Sequence, residues 1–123
     1  MKFLDSNILA FAFYNNDRTL KCQKTIREGG LIDTFNLIEA FFIIEKETSR
    51  EIAQKSIKGI LKSNIQIADV DVNLVFEALK RANSSNLSIF DLIHYSCALI
   101  NNCNAFVSYD KDFDDLDILR EEP

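Results

Sequence analysis

The chain has 123 residues, a mass of 14.1 kDa, 47% hydrophobic residues and a formal net charge of −5 at pH 7. That size and apolar content suit one domain with one packed core, and a pI near 4.8 excludes a protein that coats nucleic acid or anionic lipid through a broad positive field. Three cysteines (Cys22, Cys97, Cys103) without a C-x-x-C, and one histidine, His94, exclude zinc and disulfide frameworks of familiar spacing.

Residues 2–4 (KFL) read as a short buried strand, followed by an apolar run at 8–13 that suits a short helix inside the domain. The apolar run is too short to span a bilayer and lacks a signal peptide's positive flank, so the reading is a cytoplasmic protein with no membrane role. Residues 17–28 carry charges at helical spacing, and Gly29-Gly30 stops that helix before a brief apolar piece at 31–32. The segment 35–49 reads as a helix that continues over 50–62, and 65–68 as another strand. A helix at 72–83, a polar loop at 83–86, a helix at 88–100, a core strand at 105–109 and a short edge strand at 118–119 complete the order. Strands separated by helices of this length need crossover connections, which predicts an α/β fold: a three-layer α/β/α arrangement around a mainly parallel sheet of four to five strands, as a single domain over residues 1–123.

Ligand sites in such sheets form at the carboxyl ends of the strands. Asp5 and Asp110 each follow an apolar strand directly, so both are expected at that edge. Asp5 also suits the N-cap of the helix that follows. Asp91, three residues after Ser88 in S-I-F-D, fits a capping box, yet its helix start also belongs near the carboxyl edge. Glu39 lies in FNLIEAFFII and shares a helix face with Phe35, Phe42 and Ile43, an unusual setting for a surface carboxylate. The alternative is a partly exposed Glu39 paired with Lys46 or Arg50. Carboxylates that converge repel one another unless a hard divalent cation balances them, and Mg2+ or Mn2+ suits an all-oxygen site.

The ordered set L-D-S-N (4–7), T-F-N-L-I-E-A (34–40), I-F-D-L-I-H-Y-S-C-A (89–98) and F-V-S-Y-D-K-D-F (106–113) resembles a PIN domain, the fold of VapC-type toxin ribonucleases. The resemblance implies a metal-dependent endoribonuclease in which Asp5, Glu39, Asp91 and Asp110 bind Mg2+ or Mn2+ and position the water that cleaves RNA. It implies that Asn7 and Ser108 orient the first and last acids. Asp112 is either a substitute or auxiliary ligand or a brace for its loop, and Glu45 and Glu47 rank below Glu39 because they leave its apolar face. It further implies an antitoxin protein partner and a homodimer. His94 reads as structural rather than as a general base. Arg18, Lys21, Lys24 and Arg27 recur every three positions, either as a solvated helix face or, at Lys21 and Lys24, as RNA contacts. Two other readings fit the size: a receiver-like phosphoacceptor domain, and a PIN-like module that binds RNA or protein without cutting.

Overall fold

The computed structural model describes residues 1–123. In chain order the elements are β1 (Lys2–Leu4), α1 (Ser6–Phe11), α2 (Thr19–Glu28), β2 (Leu31–Asp33), α3 (Thr34–Glu47), α4 (Arg50–Leu61), β3 (Gln66–Ala68), α5 (Val72–Arg81), α6 (Ile89–Ile100), β4 (Ala105–Val107) and β5 (Leu119–Glu121), with single 3-10 turns at Ala82–Ser84 and Lys111–Phe113. The five strands form one sheet in the order β3-β2-β1-β4-β5, and every pairing is parallel. Parallel neighbours demand crossovers, and the helices supply them on both faces.

Because successive side chains of a strand point to opposite faces, β1, β2 and β4 each serve two cores. Leu4, Ile32 and Val107 face α1 to α4, where Ile8, Leu9, Cys22, Ala40, Ile44, Ala53 and Ile60 close one cluster. Phe3, Leu31 and Phe106 face α5 and α6, packing with Leu74, Ala78, Leu92, Ile93 and Phe113. Phe106 stacks on Phe3 at 5.1 Å and on Phe113 at 4.3 Å between ring centroids, which ties the turn after β4 to the sheet.

Several boundaries differ from the sequence reading for local reasons. The helical stretch from 35 to 62 is two helices, because the Thr48 hydroxyl bonds back to the Ile44 carbonyl (2.6 Å) and the Ser49 hydroxyl accepts the Ile52 N–H (3.2 Å). Adjacent Ser and Thr here outcompete the continuous backbone ladder. The strand expected over 105–109 ends at Val107, where the Ser108 side chain turns to its own partners. Gly30 is required where β2 begins: a Cβ there would stand 2.8 Å from the Lys2 carbonyl oxygen, and its φ is +148°. No helix is long and apolar enough to cross a membrane.

Candidate active site

Asp5 leaves β1 at its carboxyl end and caps α1, so both readings of this residue meet in one place. Its Oδ1 accepts the Ser6 N–H at 2.8 Å and its Oδ2 accepts the Ser108 hydroxyl at 2.6 Å. The Ser108 oxygen in turn accepts the Asp110 N–H at 2.9 Å, so one hydroxyl links the acids that follow β1 and β4. Asp110 caps the 3-10 turn after β4, its Oδ1 accepting the Asp112 N–H at 2.9 Å. Asp112 itself is exposed and holds that turn through its backbone. Arg120 braces the same loop from β5, donating to the Ser108 carbonyl at 2.9 Å while pairing with Asp114 and Glu122.

Glu39 reaches the cluster from the second turn of α3. Its Oε1 accepts the Ser6 hydroxyl at 2.7 Å and His94 Nε2–H at 2.5 Å. It does not pair with Lys46 or Arg50; Arg50 pairs instead with Glu45. One neighbour differs from the sequence reading: Phe42, expected to bury that face, is 62% exposed, and Glu39 is held by polar partners rather than by apolar enclosure.

Those partners form a closed ring. His94, fully buried on α6, donates from Nδ1 to Asp33 Oδ2 at 2.7 Å and from Nε2 to Glu39. Asp33 and Asn36 make a complete capping box at the start of α3, each accepting the other's N–H. Asn36 Nδ2 then donates to the Ser6 hydroxyl at 2.8 Å, which returns the ring to Glu39. Burial pulls the His94 pKa down, but the hydrogen bonds and charges of Asp33 and Glu39 overcome it and raise it to about 10. For Glu39, burial pushes the carboxyl up, and the His94 hydrogen bond and charge with the Ser6 hydroxyl outweigh it, leaving it below the usual range.

Asp33, Asn36 and Ser6 were not singled out in the sequence. D-T-F-N at 33–36 signals a helix start and nothing more, because the partner that gives Asp33 a further role lies 61 residues away. Asn7, expected to orient Asp5, makes no side-chain hydrogen bond to it; the Ser6 N–H and the Ser108 hydroxyl do, and the Ser6 hydroxyl bridges Asn36 and Glu39.

Asp91 faces the same cleft without such help. The Ser88 hydroxyl accepts the Asp91 N–H at 3.2 Å. The capping box in S-I-F-D is thus half made, and the Asp91 carboxylate pairs with no Lys, Arg or His. Burial raises its pKa to about 6, the Asp5 charge adds to this, His94 opposes it, and Glu39 and Asp110 raise it further. Asp5 is also raised, by burial first, against the Ser108 hydroxyl and the His94 charge. Asp5, Glu39 and Asp110 therefore all lie near enough to Asp91 at the carboxyl edge for their charges to act on it.

The donor chemistry fits a hard divalent cation: four carboxylates, of which Asp5, Asp91 and Asp110 have no cationic partner. As placed, no three His, Cys, Asp or Glu side chains stand close enough together to hold one ion. A cavity of about 790 Å³ lies elsewhere. It is lined by Lys21 and Lys24 of α2 with Lys2, Gly30, Asn64 and Asn104, toward the amino ends of the strands. Lys24 also pairs with Glu28 at 4.0 Å.

The family model for the PIN domain matches residues 2–119. No curated protein matches the chain in sequence. Among solved structures, the chain is similar to the Mycobacterium tuberculosis toxin VapC20, which cleaves the sarcin-ricin loop, with a TM-score of 0.84, 14% identity and 100% of each chain covered. It is similar to VapBC2 from Rickettsia felis bound to a promoter DNA fragment (0.73, 18%, 98% of this chain and 97% of that one). A toxin-antitoxin complex from Klebsiella pneumoniae follows at 0.72 and 12%, covering 95% and 93%. Matched over nearly its whole length, this chain belongs to the PIN domain family.

Proposed function

We propose that this protein is a metal-dependent endoribonuclease that hydrolyses RNA phosphodiester bonds, the toxin of a toxin-antitoxin pair acting in the cytoplasm. The observation that carries the reading is the cluster of Asp5, Glu39, Asp91 and Asp110 at one sheet edge, with Asp91 pushed to about 6 by burial and its neighbours. Membership of the PIN family and the likeness to VapC20 and VapBC2 support it.

Asp5, Glu39, Asp91 and Asp110 would hold Mg2+ or Mn2+, which when bound supplies positive charge at the scissile phosphate and makes water nucleophilic near neutral pH. The chain's own contribution is positioning. Ser108 fixes Asp5 and, through the Asp110 N–H, the last acid; Asp33 and His94 fix Glu39. Closing three oxygens on one ion needs rotation of the partly exposed Asp91 or Asp110, since Asp5 is buried with both oxygens engaged. His94 holds a proton on each ring nitrogen and donates both, so it serves as a fixed donor rather than a base. Lys21 and Lys24 would steer RNA from a distance, being on a different edge from the acids. Exposed apolar side chains on α3 (Ile38, Phe42) and α5 (Val72, Phe76, Leu79) support a homodimer, and likeness to a toxin-antitoxin complex supports an antitoxin partner.

Incubation of a mixed panel of single-stranded and structured RNAs with Mn2+, with Mg2+ and with chelator tests the reading. Cleavage that needs both metal and an intact Asp91 is expected; cleavage that persists in chelator, or in Asp91→Asn, contradicts it. The separation of the acids favours one second reading, a PIN domain that binds RNA without cutting it, and RNA retention with no cleavage under any metal would select it.

A further inference from the structure

A strongly acidic cleft repels the polyanion it is to cut, and a cation fixed beside it would offset that repulsion. Three of the five arginines, Arg50, Arg81 and Arg120, are spent on carboxylates. Arg18 pairs with none of them. Its guanidinium lies 3.9 Å from the centroid of the Tyr109 ring and 5.6 Å from that of Phe11. Stacking holds the planar group in place while leaving its N–H edge open.

The segment that presents Arg18 is knit tightly. Asn16 Nδ2 donates to the carbonyls of Phe11 (2.9 Å) and Tyr14 (2.7 Å), and the Thr19 hydroxyl donates to the Tyr14 carbonyl (2.7 Å). Asn16 Oδ1 accepts the Arg18 N–H at 2.8 Å. Tyr109 sits between Ser108 and Asp110, the residues that carry the acid-linking hydroxyl and the last acid. Topology agrees: α2 ends at Glu28 and leads through two glycines to the amino end of β2, so its first turn, with Arg18, stands at the carboxyl edge. Arg27, exposed at the other end of the same helix, also pairs with no carboxylate and has no such platform.

We propose that Arg18, stacked on Tyr109, binds a backbone phosphate of the RNA strand lying along the acid edge, next to the phosphate that is cut. The inference rests on the ribonuclease reading. A guanidinium held flat by an aromatic ring offers paired N–H donors to phosphate oxygens at little further ordering cost, and it offsets the repulsion of the nearby acids.

The test is fluorescence anisotropy of a labelled, mixed-sequence single-stranded RNA in Mg2+ buffer at several salt concentrations. The protein carries Asp91→Asn as the common background, so that bound RNA stays intact. Arg18→Gln added to that background is expected to raise Kd about fivefold and to reduce the slope of log K against log salt by about 0.7. Arg18→Lys keeps the slope and loses affinity, because the charge remains and the stacked fork does not. Arg27→Gln changes neither. Equal Kd and salt slope for the Arg18→Gln and Arg27→Gln proteins would overturn the proposal. Wild-type protein that neither binds nor cleaves this RNA with Mn2+ would instead overturn the ribonuclease reading, and this inference with it.

Discussion

Glu39 and Asp91 carry the same functional group into the same cleft from two helices, yet Glu39 sits below the usual carboxylate range and Asp91 is raised to about 6. Burial pushes both upward, so burial does not distinguish them. The difference is the company. Glu39 belongs to a ring in which one buried histidinium serves two carboxylates and every polar atom named has a partner. Asp91 faces Asp5, Glu39 and Asp110 with no ion-pair partner of its own, and the charge that remains there is what a divalent cation would neutralise. One half of the cleft is thus built for rigidity and the other is left electrostatically unfinished. Unsatisfied charge of this kind costs the fold stability and marks a candidate functional site.

The largest effect expected on folding comes from breaking the finished half. His94→Gln removes the cation and leaves Asp33 and Glu39 as buried carboxylates without it, which should cost about 3–5 kcal/mol in chemical denaturation at neutral pH. A cost below 1 kcal/mol would show that the ring is not held by charge. The wild type carries a matching pH signature. With a folded pKa near 10 against 6.5 unfolded, the His94 contribution is complete below pH 6.5 and is lost as pH rises through about 10. Denaturation midpoints measured from pH 7 to pH 10 should therefore fall for the wild type more steeply than for His94→Gln.

Changing the unfinished half should act with the opposite sign. The raised pKa of Asp91 means that its folded form favours the proton, so its effect on stability is most favourable below pH 3.8 and worsens as pH rises through about 6. In chelator, Asp91→Asn should melt higher than the wild type, by a margin that widens between pH 5 and pH 8. A lower melting temperature across that range would restore a capping role for this side chain. The smallest effect belongs to the distant cations: Lys21→Glu with Lys24→Glu should weaken RNA binding by about two- to threefold through screened, long-range repulsion, with Mn2+ binding unchanged. Unaltered RNA affinity would remove these lysines from the RNA path.

Asp5 and Asp110 were legible in the sequence because an acid directly after an apolar strand has a defined place in a parallel sheet. Glu39 was legible as an anomaly on its helix, although one of the apolar neighbours that made it anomalous, Phe42, turned out to face solvent. The ring around Glu39 was not legible. Its members are separated by up to 61 residues, and each has an ordinary local explanation: Asp33 caps a helix, Asn36 completes the cap, and Ser6 sits in a helical first turn. Likewise the break between α3 and α4 turns on two hydroxyls whose choice of acceptor depends on the surrounding fold. Periodicity reports which face of an element is buried, whereas these features depend on which buried group meets which.

The most direct test of the unfinished half is calorimetric titration of Mn2+ into the wild-type protein and into Asp91→Asn at pH 7.5, with the wild type repeated at pH 5. The account predicts binding to the wild type at pH 7.5, weaker binding at pH 5 where Asp91 is protonated, and little or none to Asp91→Asn. Equal Mn2+ affinity in wild type and Asp91→Asn, or no binding to the wild type at pH 7.5, would contradict it.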